Sequence, residues 1–429
     1  MKFVSIDVET TLNGNEDIGL AHPMSPDNRV VLYGVGIGSK KTITEEPYDV
    51  YEVLNTQKTL HSKEFIVCGH NISFDLMYLY KSHIYLKPFL QSCLIWDTQL
   101  AEYILTGQRS KFSSLDELCI KYGYPVKDDK IKKYFQAGLG SDKIPREELE
   151  PYLRNDLQVT KNIADKQYEL AKATGMLTLI ETQMQALHAT TEMMYNGLCI
   201  DQEVLAKYTV EVVNEYVDSK LNLEEMCSGT TVEDINSPKQ WSTYFFGGSK
   251  KVKEKEAVGL FKNGNTKYKT VEKIVPIEGA VRYVPDPDKV SSKTGQVSVD
   301  DAVLKDMSDH ILNKTEKERI KSLLQYRELS KQLSTYVQGL SRHVIGKEGA
   351  KLGFIHGKLN HTATVTGRLS STNPNLQNIS NNPIKQIFVS RWGSDGVIVE
   401  CDFNQLEVVA LAHITRDKQL IKDISSGVD

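Results

Sequence analysis

Asp7 and Glu9 stand two apart in Phe3-Val4-Ser5-Ile6-Asp7-Val8-Glu9. On a strand that spacing turns both carboxylates to one side. Such a pair can bind a divalent cation, although Asp-x-Glu alone suits a solvated strand end equally well. Two more pairs follow at a spacing of four. Asn71 and Asp75 bracket Asn71-Ile72-Ser73-Phe74-Asp75, and Tyr152 and Asp156 bracket Tyr152-Leu153-Arg154-Asn155-Asp156. Residues four apart share a helical face. The chemistry within reach of this set is phosphodiester hydrolysis, which requires an activated water and a stabilised leaving oxygen. Two metal ions about 4 Å apart provide both, and Mg²⁺ or Mn²⁺ prefers carboxylate oxygens.

A second group lies near the other end. Asp402 closes the apolar run Val397-Ile398-Val399-Glu400-Cys401 and opens Asp402-Phe403-Asn404-Gln405-Leu406-Glu407. A carboxylate at the end of a buried strand, followed by a helix, suits a Mg²⁺ site used on phosphates. Upstream, Arg368 follows Gly367, and Asn375, Gln377 and Asn378 supply a dense run of amide donors after Pro374. An exposed turn explains the arginine alone. Together the amides can probe the minor groove, where A/T and T/A present degenerate acceptors and contacts test base-pair geometry more than sequence.

The elements that must carry these side chains can be read in outline. Residues 3–9 alternate as a strand, 30–37 read as a second strand, and 65–68 as a short buried strand leading into a helix from about Asn71. Helical patterns follow at about 92–106, 113–122 and 146–172. From 173 to about 235 the pattern is helical, broken at Gly197, with Asp201 as N-cap of the next helix. Ser237-Pro238 reads as another helix start. The Gly- and Lys-rich stretch 247–296 has β-like fragments at 273–275 and 281–284. A long helix is expected from about Glu316 to Ile345, with strands resuming near 351–360 and a strand at 397–401.

At 429 residues the chain has room for two or three domains. Its 40% apolar content is ordinary for a globular protein. No apolar run is long enough for a membrane span, and the N-terminus lacks a signal peptide's apolar segment. The six cysteines are scattered without metal spacing and read as reduced, packed side chains of a cytoplasmic protein. A net charge of −4 neither advertises nor excludes nucleic-acid binding, because phosphate contact depends on local charge. Residues 250–293 carry eleven Lys/Arg against six Asp/Glu. A solvated polar insertion accounts for that stretch as well as a DNA contact does.

The ordered set Asp-x-Glu, Asn-x-x-Phe-Asp and Tyr-x-x-x-Asp resembles the proofreading 3′–5′ exonucleases. The segment Thr366-Gly367-Arg368-Leu369-Ser370-Ser371 through Ile379, together with Asp402, Gln405 and Glu407, resembles the palm of family A DNA polymerases, the bacterial DNA polymerase I type. The resemblance implies that Asp7, Glu9, Asp75 and Asp156 hold two metal ions and that Tyr152 orients the attacking water. Asn71 and Phe74 would seat terminal nucleotides, and Asp97 would be structural support. Arg368, Asn375, Gln377 and Asn378 would contact primer-template. Lys385, which stands where many relatives have arginine, would join them. Asp402 would bind the polymerase metals, and Glu407 would help exclude ribonucleotides. Val409, Phe403 and Asn404 depart from the family pattern.

The expected fold class is α/β: a ribonuclease H-like exonuclease domain (1–172), a mainly helical thumb region with an inserted loop at 247–296 (173–350), and the first part of an α+β palm (351–429). No fingers helix or second catalytic aspartate is found in the sequence given. The reading is therefore a subunit of a split or truncated, phage-like replicative polymerase. Its expected ligands are Mg²⁺ or Mn²⁺, single-stranded 3′ ends and primer-template DNA. Deoxynucleoside triphosphates would bind only in a complex completed by a second polypeptide. The alternatives are a stand-alone exonuclease with a DNA-binding palm remnant and a non-catalytic DNA-binding subunit.

Overall fold

The computed structural model describes residues 2–61, 65–126, 129–261, 266–346, 349–379 and 383–427. Its first sheet has the order β3-β2-β1-β4-β5, built from β1 (Lys2–Thr10), β2 (Val30–Ile37), β3 (Lys40–Thr44), β4 (Phe65–Gly69) and β5 (Leu94–Asp97). β1 lies in the middle, antiparallel to β2 with Asp7 opposite Gly34, and parallel to β4. Helices cover both faces, so β1 is buried almost throughout. On one side the 28-residue helix α3 (Arg146–Ala173) crosses β1 and β2. Its close approach leaves little room at Gly34, where a Cβ would come within 2.8 Å of the end of the Leu157 side chain. The helices α1 (Ser73–Ser82) and α2 (Thr98–Leu105) continue from the ends of β4 and β5. The core that Phe3, Val4, Ile66, Val67 and Trp96 form here extends to Ile180, Met184 and Leu187 of the next helix, α4 (Leu177–Asn196). This is the expected α/β class, an exonuclease-type sheet domain followed by a mainly helical region.

Several expected boundaries move. The helical pattern at 92–106 splits into strand β5 and helix α2, because Asp97 ends the strand and caps the helix through Gln99 and Leu100 N–H. β3 was not expected. Its lysine- and threonine-rich sequence gives no apolar alternation, and only pairing with β2 makes it a strand. After Gly197, β6 (Leu198–Asp201) leads into α5 (Gln202–Cys227), with Asp201 capping as expected. Ser237 caps α6 (Pro238–Phe246).

The inserted stretch is a long hairpin of β7 (Gly248–Leu260) and β8 (Thr266–Ile277), and residues 281–284 form no strand. The helix expected to reach Ile345 is α7 (Lys314–Lys331). It is extended by a widened helical turn and then a short α-helical turn to Ser341, after which Val344–Ile345 pairs with β9 (Leu352–Ile355). β9 also pairs with β6, and β10 (Lys358–Asn360) pairs with β11 (Ser370–Thr372).

The clearest departure concerns 397–402, expected as a buried strand ending at Asp402. These residues form no strand, and Val397, Ile398 and Val399 are 80%, 55% and 74% exposed. A strand needs a neighbour to take its N–H and C=O groups, and no strand among the described residues pairs with this run. Helix α8 (Leu406–Thr415) follows with only Ala412 buried. All six cysteines are free thiols, five of them buried. No helix among the described residues is long and apolar enough to cross a membrane.

The hairpin is rooted on a buried polar knot. Arg319 of α7 donates to the Met226 carbonyl at 3.2 and 2.9 Å and to Glu316 and Tyr244. Tyr244 donates to both oxygens of Glu316 at 3.0 Å. Burial, with the Glu316 charge, pushes the Tyr244 phenol up to about 12. The knot joins α5, α6 and α7, and its Arg319 and Glu316 side chains are only 10% and 8% exposed. Removing one partner of a buried ion pair leaves the other charge uncompensated. Arg319→Met is therefore expected to destabilise this region by about 3 kcal/mol, read from urea unfolding followed by Trp241 fluorescence.

Candidate active site

Asp7 and Asp75 meet at one backbone group. The Val8 N–H lies 3.1 Å from Asp7 Oδ1 and donates to Asp75 Oδ1 at 3.0 Å. β1 brings Asp7, and α1 brings Asp75 from above the end of β4. Burial raises the Asp75 carboxyl well above the ordinary carboxylate range, and the Asp7 charge raises it further; the Val8 N–H works in the opposite direction. Asp75 is 3% exposed. A carboxyl buried beside a second acidic group resists ionisation.

The other carboxylates stand on the same framework without closing on this pair. Glu9 is buried and its Oε2 accepts from the Ser141 hydroxyl at 2.9 Å. Asp156 is buried on α3, the helix packed against β1. Tyr152, one turn earlier, is half-buried, with its ring edge-on to Phe135 at 6.4 Å. Among the described residues no three acidic, histidine or cysteine side chains form a ready ligand group. The Asp7 and Asp75 donors are all oxygen, as a hard divalent ion prefers.

Asn71 departs from its expected place. It precedes α1 with a left-handed φ of 55°, so it does not share a helical face with Asp75. Four residues on an uninterrupted helix would have aligned them, but the helix starts at Ser73. Asn71 instead lines a cavity of about 230 Å³ together with Phe74, Gln99 and Phe112. Its opposite wall is the segment His356–Thr362, which sequence reasoning did not connect to the first domain. His22 also lines it; burial, then the neighbouring His356, lowers its pKa to about 4. Asp97 sits beneath, its carboxylate accepting from the N–H groups of Ile72 at 2.8 Å, Asn71 at 3.3 Å, Gln99 at 2.7 Å and Leu100 at 3.1 Å. Ser141 and His356 were invisible in sequence because their partners lie far along the chain.

The second constellation is exposed. Arg368, Asn375, Gln377 and Asn378 all face solvent. Gly367 turns the chain there with φ of 75°, and a Cβ on it would come within 2.9 Å of Gln108. Asn375 caps the turn through Gln377 N–H at 3.1 Å, and the Asn378 carbonyl accepts from Tyr336 at 2.8 Å. Arg368 pairs with Glu407 in the first turn of α8, and Lys385 pairs with Glu400 at 3.1 Å. Asp402 is exposed between them in irregular chain. The structure therefore gathers the Arg368 loop and α8, and leaves Asp402 without the strand expected to hold it.

Residues 202–429 match the family model of DNA polymerase family A, and residues 22–169 match that of a 3′–5′ exonuclease. A DNA polymerase I of Streptococcus pneumoniae is 29% identical over 351 residues, 78% of this chain and 33% of the relative. A DNA polymerase I of Treponema pallidum is 24% identical over 403 residues, 91% of this chain and 34% of the relative. The chain thus spans about a third of the length of these curated relatives. Among solved structures, the POL domain of Pol1 from M. smegmatis, in complex with DNA primer-template and dNTP, has the same fold. The TM-score is 0.65 at 18% identity, covering 99% of this chain and 61% of that one.

The raised Asp75 carboxyl makes a signed prediction. A carboxyl whose folded pKa is raised stabilises the fold below its unfolded pKa, and that contribution is lost as pH rises through the folded value. Without divalent ions, the melting temperature of the chain should fall between acid and neutral pH. Asp75→Asn, an isosteric neutral change, should raise the neutral-pH value by a few degrees and flatten the fall. It should also abolish any stabilisation by added Mn²⁺. Thermal melts in EDTA and in Mn²⁺ across pH check all three effects.

Proposed function

The chain belongs to DNA polymerase family A, and on that premise we propose that it joins a 3′–5′ proofreading exonuclease to part of a template-copying DNA polymerase. The observation that carries the nuclease half is the Asp7–Asp75 pair around the Val8 N–H. A divalent ion such as Mg²⁺ or Mn²⁺ bound there would activate water and offset the charge on the leaving oxygen.

The protein's own residues do the rest. Asp7 and Asp75 hold the ion, with Glu9 and Asp156 as the further carboxylates of a two-ion set. The Tyr152 phenol orients the attacking water. Asn71 and Phe74 seat the terminal nucleotide of a single strand at the cavity mouth. In the polymerase half, Arg368, Asn375, Gln377, Asn378 and Lys385 form the primer-template face. Asp402 is the metal ligand of that half, and Glu407 guards the sugar of the incoming nucleotide. Glu407 holds Arg368 in the free chain, so DNA must compete for that guanidinium.

Further polypeptide completes the palm in this reading. The support is physical: Val397, Ile398, Val399, Phe403 and Leu411 are all more than half exposed, and a contiguous apolar surface of this kind marks an interaction site. We assign it to contact with further polypeptide carrying the remaining palm and the nucleotide-binding fingers. Deoxynucleoside triphosphates would bind only in that complex.

Three outcomes are expected. Asp7→Ala with Glu9→Ala should reduce release of nucleotides from labelled single-stranded 3′ ends at least a hundredfold, with unchanged far-ultraviolet circular dichroism. Full residual digestion in the double variant would sink the nuclease assignment. Arg368→Ala should weaken primer-template binding by about 1–3 kcal/mol and leave digestion of short single strands intact; equal loss of both points to a wrong site. The isolated chain should not extend a primer, and robust synthesis without an added polypeptide overturns the palm-completion reading in favour of an assembled site.

A further inference from the structure

The hairpin of β7 and β8 is the one large feature that neither site uses. Its 13-residue strand β7 spans about 40 Å at about 3.3 Å per residue. Both faces are largely exposed along its length, while its base is held by α6 and the Tyr244 and Phe245 carbonyls, which accept from Ala280 and Val281 N–H. A two-stranded ribbon exposed on both faces is marginal in water by itself, so its rooting on the buried α5–α6–α7 knot matters.

The register sorts its charges by face. Residues opposite each other in an antiparallel pair share a face, and neighbours along a strand alternate. Lys251, Lys253 and Lys255 therefore lie on one face, across from Ile274, Glu272 and Thr270. Tyr268, opposite Ala257, continues that face toward the tip. Its single carboxylate, Glu272, engages Lys251 at 3.4 Å. On the opposite face Lys273 bridges Glu254 at 2.9 Å and Glu256 at 3.2 Å, Lys269 stands opposite Glu256, and the register adds Lys250 and Lys267 at its two ends. Lys251, Lys253 and Lys255 thus form an uninterrupted row of like charge along one strand, whereas the cations of the opposite face are interleaved with Glu254 and Glu256.

We propose that the Lys251–Lys253–Lys255 face of this hairpin binds the phosphate backbone of duplex DNA. The three ammonium groups repeat every two residues, about 6.7 Å apart. Successive phosphates of one B-DNA strand wind around the axis and so stand farther apart than their rise of about 3.4 Å, which lets a row of this spacing track neighbouring phosphates. Lysine serves this purpose as a mobile point charge needing no bidentate geometry, and the contact carries no sequence information. That suits an enzyme that copies any template, and the proposal rests on the reading that this chain acts on primer-template DNA.

The test is a fluorescence-anisotropy titration of a labelled primer-template duplex with the full chain at KCl concentrations from about 50 to about 200 mM. The triple variant Lys251→Ala, Lys253→Ala, Lys255→Ala should bind at least tenfold more weakly at the lowest salt. Its slope of log K against log[salt] should fall in magnitude by about 2–3, near 0.9 per lost phosphate contact. The matching triple Lys→Arg variant should bind as the wild type does. Lys269→Ala with Lys273→Ala, on the opposite face, should change neither quantity. Unchanged binding by the triple alanine variant overturns the proposal alone. Equal losses from both faces overturn the assignment to the lysine row. A wild-type chain that does not bind the duplex overturns both the proposal and the polymerase reading beneath it.

Discussion

Burying carboxylates at the centre of a sheet is the constraint around which the first domain is arranged. Taking an ionised carboxylate out of water is costly unless it is hydrogen-bonded, paired or metal-bound. Here Asp75 is buried beside Asp7, with one backbone N–H between them. β1 must therefore be held rigidly from both sides. β2 and β4 fix its register, and α3 presses close, leaving little room for a side chain at Gly34. Asp97 serves the same end: it accepts from Asn71 and Ile72 N–H at the start of α1 and from Gln99 and Leu100 N–H at the start of α2, and so fixes the position from which Asp75 reaches β1.

The exonuclease sheet and the polymerase segment are packed against each other through α4. One side of that helix completes the sheet-domain core with Ile180, Met184 and Leu187. Its other contacts reach the residues around β10. His356 bonds the Met194 carbonyl at 2.9 Å, His361 meets the Thr190 hydroxyl at 2.8 Å, and Arg391 donates to the carbonyls of Asn196 and Gly197. Tyr103 donates to the Thr364 carbonyl four residues before Arg368. The cavity bearing Asn71 and Phe74 is thus walled by both parts of the chain, and the Arg368 loop is anchored to the same framework.

The two sites differ in how they are held. The Asp7–Asp75 pair is fixed by sheet register and burial. The Arg368 and Asp402 side chains are exposed, and the charges around them meet in the surface pairs Arg368–Glu407 and Lys385–Glu400. Surface pairs of this kind are worth little individually. The exposed second group is accordingly freer to rearrange than the first, which is already set by the fold.

Local chemistry made part of this legible in the sequence. Alternation marked β1, residues 30–37 and 65–68 read as the strands β2 and β4, capping residues marked the starts of α5 and α6, and the ordered spaced pairs singled out Asp7, Glu9, Asp75, Tyr152 and Asp156 as candidates. These features depend on neighbours within a few residues, where side-chain spacing and capping bonds act directly. The tertiary structure alone decided the rest. It placed Asn71 off the helix and in a shared cavity, joined Glu9 to Ser141 and His22 to His356, and sorted the inserted lysines onto one face of a ribbon. It also denied 397–402 a strand, since an apolar run becomes a strand only when another backbone takes its hydrogen bonds, and that depends on which segments meet in space.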